Sequence, residues 1–260
     1  MKVENRYILK MSVAISSYEN AGEQIIKSAQ SKVGGYVCVA NVHMCMEAFD
    51  SNEFNRVVND ADLVVPDGMP LVWALKLLGE KTAAQVRGSD LLLHLCNEAS
   101  GKDISIGLYG GTPDSLHDFE SFLHRKFPDI NIVFSVSPPF RELTPEEKNH
   151  YVQEINRSGC GILFVGIGCP KQERWMAEQK DKLSCVMIGV GAAFDFFSGR
   201  KKHAPRWMQH FGLEWFFRLA SDPRRLWKRY LKHNPRFVYY FGKQLLQSKF
   251  RPEHGSPNLS

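Results

Sequence analysis

The chain has 260 residues, 43% of them hydrophobic and 23% charged, a globular composition that excludes a largely disordered or collagen-like protein. The net charge of +5 hides an asymmetry: residues 200–251 hold 14 Lys or Arg against Glu214 and Asp222, a stretch of +12, while residues 1–199 sum to −6. That basic stretch reads as a patch for an anionic partner.

The first eleven residues mix charges with apolar side chains and lack the apolar core of a secretory signal, so a cytoplasmic location is expected. Short β-branched runs then alternate with amphipathic stretches. In chain order the pattern predicts a strand at Ile8–Ile15, a helix at Tyr18–Ala29, a strand at Tyr36–Ala40, a helix at Glu53–Asn59, a strand at Leu63–Val65 and helices at Leu71–Leu78 and Ser89–Glu98. It continues with a strand at Ile104–Tyr109, a helix at Asp114–Phe127, a strand at Ile132–Val136, a helix at Pro145–Asn156, a strand at Gly161–Val165, a helix at Lys171–Lys180 and a strand at Cys185–Val190. This alternation predicts an α/β fold, a mainly parallel sheet with helices on both faces. The longest nearly uncharged run, Cys160–Cys169, is about half the ~20 residues of a membrane span and reads as a buried strand.

After Gly199 the pattern changes to helix-length segments crowded with Trp, Phe, Tyr, Arg and Lys and punctuated by Pro205, Pro223 and Pro235. The expected organisation is an α/β body at 1–199, a basic aromatic helical appendage at 200–251 and a frayed polar tail at 252–260. The six cysteines (Cys38, Cys45, Cys96, Cys160, Cys169, Cys185) lie far apart in apolar surroundings, as reduced core residues do.

In an open α/β sheet, ligands bind beyond the carboxyl ends of the strands. Four turns there carry chemistry: Asn41-Val42-His43, Pro66-Asp67-Gly68, Gly110-Gly111-Thr112-Pro113, and Gly166 through Glu173 with Gln172. Each is also what a strand-to-helix turn needs for geometry alone; together they point to a phosphate-bearing ligand. Asp67, held between Pro66 and Gly68 straight after an apolar strand, suits general-base work on a hydroxyl. Gly189-Val190-Gly191 is a weak dinucleotide fingerprint, which leaves hydride transfer as a minor alternative. No cluster of carboxylates and His has the spacing expected of a divalent-metal site, so a metal-independent mechanism without cofactor is expected, with Arg218, Arg224, Arg225, Lys228 and Arg229 facing a diphosphate. Aromatics interleaved with those cations fit the surface of an anionic bilayer. Single-stranded nucleic acid uses the same residue types, but no recognition motif for it appears.

The motifs Ala61 to Pro70, Gly107-Leu108-Tyr109-Gly110-Gly111, Gly168 to Glu173, Gly189 to Asp195, Ala204-Pro205-Arg206-Trp207 and Gly212-Leu213-Glu214-Trp215 together resemble a family of bacterial inverting glycosyltransferases. It includes the teichoic acid N-acetylmannosaminyltransferase, the enterobacterial common antigen N-acetylmannosaminuronyltransferase and xanthan-type exopolysaccharide glucosyltransferases. The resemblance covers about Val37 to Phe241 and implies a Rossmann-like fold, a UDP-sugar donor and an undecaprenyl-diphosphate-linked acceptor at the inner face of the membrane. It implies Asp67 as the base, and Asn41, Gln172, Arg218 and Arg225 as substrate contacts. His43, Arg87, Gly110 and Gly111 complete the candidate substrate-binding set. Two positions depart from the family pattern: Val39 replaces a Thr, and Gln85 stands where an Arg is usual, with Arg87 nearby. The wording Asp67-Gly68-Met69-Pro70-Leu71-Val72-Trp73 looks closer to the exopolysaccharide branch, a hint towards UDP-glucose, with a donor of the UDP-N-acetylmannosamine type beside it. A non-catalytic membrane-surface module that binds a nucleotide or lipid diphosphate is the alternative class, and a homo-oligomer stays open.

Overall fold

The computed structural model describes residues 4–199 and 203–250; the tail at 252–260 lies outside the described residues. The chain opens with an antiparallel hairpin, β1 (Asn5–Ile8) and β2 (Met11–Ala14), where one strand at Ile8–Ile15 was expected. Leu9 adopts a left-handed conformation, φ 56°, and turns the chain. That unusual geometry for a leucine is held by partners far away: Leu9 N–H donates to Gln244 Oε1 at 2.8 Å, and Asn55 and Asn59 donate to Lys10 O at 2.8 and 2.9 Å.

The body then runs α1 (Tyr18–Ser31), β3 (Tyr36–Ala40), α2 (Val42–Asp50), α3 (Asn52–Asn59), β4 (Leu63–Pro66), α4 (Met69–Leu77) and α5 (Gly88–Gly101). It continues through β5 (Ile106–Gly110), α6 (Pro113–Lys126), β6 (Ile132–Val136), α7 (Pro145–Ser158), β7 (Ile162–Gly166), α8 (Lys171–Gln179), β8 (Val186–Gly189) and α9 (Ala193–Phe197). Helices start where their caps dictate: Thr112 and Thr144 close capping boxes with Ser115 and Glu147, each with Pro in the first turn. Six strands form one sheet in the order β4-β3-β8-β7-β5-β6, all parallel. The fold is therefore the expected Rossmann-like α/β arrangement, with the sheet wholly rather than mainly parallel.

Alternation along each strand feeds two cores. Tyr36, Cys38 and Ala40 of β3 point into one, shared with α2, α3, α4 and α8; Val37 and Val39 point into the other, shared with α1, α5 and α6. Five of the six cysteines are buried as expected, whereas Cys169 is partly exposed.

Among the described residues three helices follow: α10 (Arg206–His210), α11 (Glu214–Ser221) and α12 (Pro223–Phe250). Pro223 opens α12 as a first-turn proline should, but Pro235, expected to break the chain, lies inside this 28-residue helix. A proline within a helix costs about 3 kcal/mol. Tertiary packing offsets it: Phe237 and Phe241, one turn apart, are 5% and 7% exposed in the core that also holds α2, each contributing about 1.5–3 kcal/mol of burial. Arg236 adds a two-pronged pair with Asp50 at 2.8 and 2.6 Å, and Gln244 closes the far end by donating to Tyr7 O at 2.8 Å.

Candidate active site

The carboxyl ends of β3, β4, β7 and β8 lie side by side, and their turns meet α11 and α12 around two cavities of about 530 and 540 Å³. Both are within the ~300–1,000 Å³ range of small-molecule sites. The first is polar and is lined by Arg87, Gly168, Gln172, Gly191, Arg218 and Arg225 among others. The second is apolar and runs between α4 and α12, past Met69, Trp73, Leu77, Phe237, Val238 and Leu245. Asn41, Asp67, Glu214, Arg218, Arg229 and Tyr230 face both.

Asp67 stands at that junction. Its N–H continues the ladder to Ala40 O at 2.8 Å, and its Oδ1 accepts from the Gly88 N–H at 2.9 Å, so backbone at both ends fixes the carboxylate. Gln85 donates to the Asp67 carbonyl at 2.5 Å. Gln85 thus braces the Asp67 loop rather than reaching an anion. Burial, with the Glu214 carboxylate beside it, raises Asp67 to about 6, against the opposing pull of Arg218, the Gly88 N–H and Arg87. A carboxylate tuned there is ionised at neutral pH yet basic enough to take a hydroxyl proton in a transition state.

The other expected residues divide. Asn41 caps α2, accepting from the Met44 N–H at 3.3 Å, which leaves its amide hydrogens over the cavities. Arg87 lines the polar cavity and pairs with Asp90 at 3.2 Å, while its backbone N–H donates to the Tyr18 hydroxyl at 2.9 Å. Arg218 pairs with Glu214 and stacks on Phe196, 5.0 Å from the ring centroid; Arg225 pairs with Asp222 at 2.6 Å. Gln172 is 3% exposed and its amide is largely committed: Oε1 accepts from the Gly168 and Gly191 N–H groups at 3.2 and 3.1 Å, and Nε2 donates to Glu173 at 2.7 Å. It ties the β7 and β8 turns together, and with them the weak Gly189–Gly191 fingerprint.

Gly110, Gly111 and His43 sit apart from the polar cavity. Gly110 and Gly111 line neither cavity, because β5 is separated from β3 by β7 and β8. Their positive φ angles, 127° and 68°, serve packing: a Cβ on Gly110 would sit 2.5 Å from the Gly166 carbonyl carbon, and the Gly111 N–H donates to Gly166 O. His43 faces the apolar cavity, and burial together with Arg229 pushes it down to about 3. It also meets Glu47 and His233, a cluster with metal-holding geometry that spacing along the chain had not disclosed.

Sequence reasoning did not assign Glu214, Tyr230 and Phe196 to the site. Arg229, named only among the appendage cations, joins them; its signal is the i, i+4 spacing from Arg225, which puts both guanidinium groups on one face of α12.

Residues 6–251 match the profile of the glycosyl transferase WecG/TagA/CpsF family. The chain is 29% identical over 201 residues to the N-acetylglucosaminyldiphosphoundecaprenol N-acetyl-beta-D-mannosaminyltransferase of Bacillus subtilis (strain 168), covering 77% of this chain and 76% of that protein. It is also 29% identical over 206 residues to the protein of the same name from Bacillus spizizenii, covering 79% and 77%. With an all-parallel sheet whose carboxyl edge meets Asp67 and four arginines, and a match over nearly its whole length, the chain belongs to the glycosyl transferase WecG/TagA/CpsF family and is a glycosyltransferase.

Proposed function

We propose that this enzyme moves a sugar from a UDP-sugar to a saccharide on an undecaprenyl diphosphate, with inversion at the anomeric carbon. One observation carries the reading: a polar and an apolar cavity of nearly equal size meet at a single tuned carboxylate, Asp67. The polar cavity suits a nucleotide diphosphate and the apolar one a prenyl chain. The acceptor hydroxyl oxygen attacks the anomeric carbon, its proton passes to Asp67, and the bond to the diphosphate breaks. Arg218, Arg225 and Arg229 meet the charge that develops on the leaving diphosphate, without calling on a metal in that cavity. Arg87 lines the same cavity, 4.0 Å from the Glu214 carboxylate with which Arg218 also pairs.

The two relatives are named for an N-acetylmannosaminyl transfer to N-acetylglucosaminyldiphosphoundecaprenol, which supports that acceptor class and favours UDP-N-acetylmannosamine over UDP-glucose as donor. Among the described residues, no helix is long and apolar enough to cross a membrane. Attachment is proposed to be peripheral, through exposed Trp207, Phe211, Phe216 and Trp227 set among the basic residues of α10–α12.

The test is UDP release by the intact chain over a panel of UDP-sugars, with and without an N-acetylglucosaminyl-diphosphate carrying a prenyl chain. Release that needs both one donor and the lipid-linked acceptor supports the proposal. Equal rates with an acceptor stripped of its prenyl chain would remove the role given to the apolar cavity.

A further inference from the structure

His43 and Glu47 lie one turn apart on α2, and His233 reaches them from α12. His43 Nε2 is 3.8 Å and His233 Nε2 is 3.4 Å from the same oxygen, Glu47 Oε1, and the three ligand atoms lie within 4.8 Å of one another. The rings meet edge to face, centroids 5.1 Å apart and planes at 78°. Neither separation from Glu47 reaches the ~2.7–2.9 Å of a charge-assisted hydrogen bond. His233 is 3% exposed, and Nδ1 of both histidines is buried without a hydrogen-bond partner. Buried polar groups are ordinarily satisfied; these two Nδ1 atoms are not, and the same two rings turn their Nε2 atoms towards one carboxylate oxygen without a close hydrogen bond.

We propose that His43, Glu47 and His233 bind one divalent transition-metal ion of the zinc class, which pins α12 to α2. Bonds of ~2.0–2.1 Å in tetrahedral geometry set ligand atoms ~3.3 Å apart, close to the 3.4 and 3.8 Å found here. Two imidazoles and one carboxylate suit zinc, cobalt or iron(II) rather than magnesium or calcium, which take oxygen ligands. Three protein ligands leave a fourth position for water or a ligand oxygen, on the side where His43 and His233 line the apolar cavity. Arg229 and Lys232 stand near the cluster, while the charge of Arg236 is met by Asp50. Those cations hold the affinity below that of an acidic cage. The ion would act on the seam between α2, whose cap is Asn41, and the helix that carries Arg225 and Arg229; no part of this rests on turnover.

The experiment uses the full chain, stripped with a chelator and titrated with Co²⁺ as a spectroscopic stand-in for Zn²⁺, beside His233→Ala and Glu47→Gln. Glu47→Gln keeps the shape of the side chain, and circular dichroism establishes that each variant is folded. The expected result is one equivalent of Co²⁺ with the intense visible absorption of a four-coordinate site, displaced by Zn²⁺, and binding weakened at least about 100-fold in both variants. Zn²⁺ also raises the Tm of the unsubstituted chain and not that of the variants. A folded chain that shows no saturable binding at submillimolar ion, or variants that bind as well as the parent, would overturn the proposal.

Discussion

Replacing Asp67 by Asn is expected to stabilise the protein while stopping its chemistry. Folding raises this carboxyl from 3.8 to about 6, so the folded chain holds the proton more tightly than the unfolded one. The resulting penalty is complete above the folded value, shrinks as pH falls through it, and is gone below the unfolded value. At 1.36 kcal/mol per unit, the shift corresponds to about 3 kcal/mol at pH 7.5 and well under about 1 kcal/mol at pH 4. Asn has no charge to bury and can still accept from the Gly88 N–H, which now meets Asp67 Oδ1 at 2.9 Å. The attraction of Arg218 for the carboxylate is lost in the variant, and it already lies within the net shift. For a chain of this size about 3 kcal/mol corresponds to a Tm rise of roughly 6–12 °C. Urea unfolding of parent and Asp67→Asn at pH 7.5 and pH 4, with UDP release at pH 7.5, reads both arms. Turnover should fall at least ~100-fold, the usual worth of a general base. A variant no more stable than the parent at pH 7.5, or equally stabilised at both pH values, would refute the electrostatic account of the site.

Glu214→Gln removes the negative charge that helps to hold Asp67 up, so the acid limb of the kcat/KM profile should move to lower pH. Arg218→Lys keeps the charge but loses the guanidinium stack on Phe196, 5.0 Å away; turnover should drop ~100–1,000-fold, as when one positioned transition-state donor is lost, with the melting temperature nearly unchanged. Gly110→Ala should lower stability by at least about 2 kcal/mol, because its Cβ would meet the Gly166 backbone at 2.5 Å with φ at 127°; the KM for the donor in the surviving folded fraction should not change.

Much of the body was legible because a parallel sheet buried on both faces leaves β-branched runs such as Val37–Val39 and Leu63–Val65 no other role. The motif turns were equally visible, since Asp67 and Asn41 follow those runs directly. What stayed hidden depended on distance along the chain. The Leu9 turn is stabilised by Gln244, and the His43–Glu47–His233 cluster joins helices that no local pattern connects. Helix α2 escaped because Met44, Cys45, Met46 and Ala48 are all buried, which erases the one-sided stripe that marks a surface helix. Gly110 and Gly111 show a related limit of local pattern: a Gly-rich turn looks alike whether it approaches a phosphate or another strand's backbone, as Gly110 approaches Gly166 here.

The bond from Leu9 to Gln244 spans 235 residues, and α12 supplies Arg225, Arg229 and Tyr230 to the cavity walls. Chains emerge amino end first at ~5–20 residues per second, so the Asp67 turn can take shape on the ribosome several seconds before the helix that completes the site is made. During that interval the nascent body holds its carboxylate and Arg87 without the arginines of α11 and α12, and catalytic competence arrives only when α12 seats against the first hairpin.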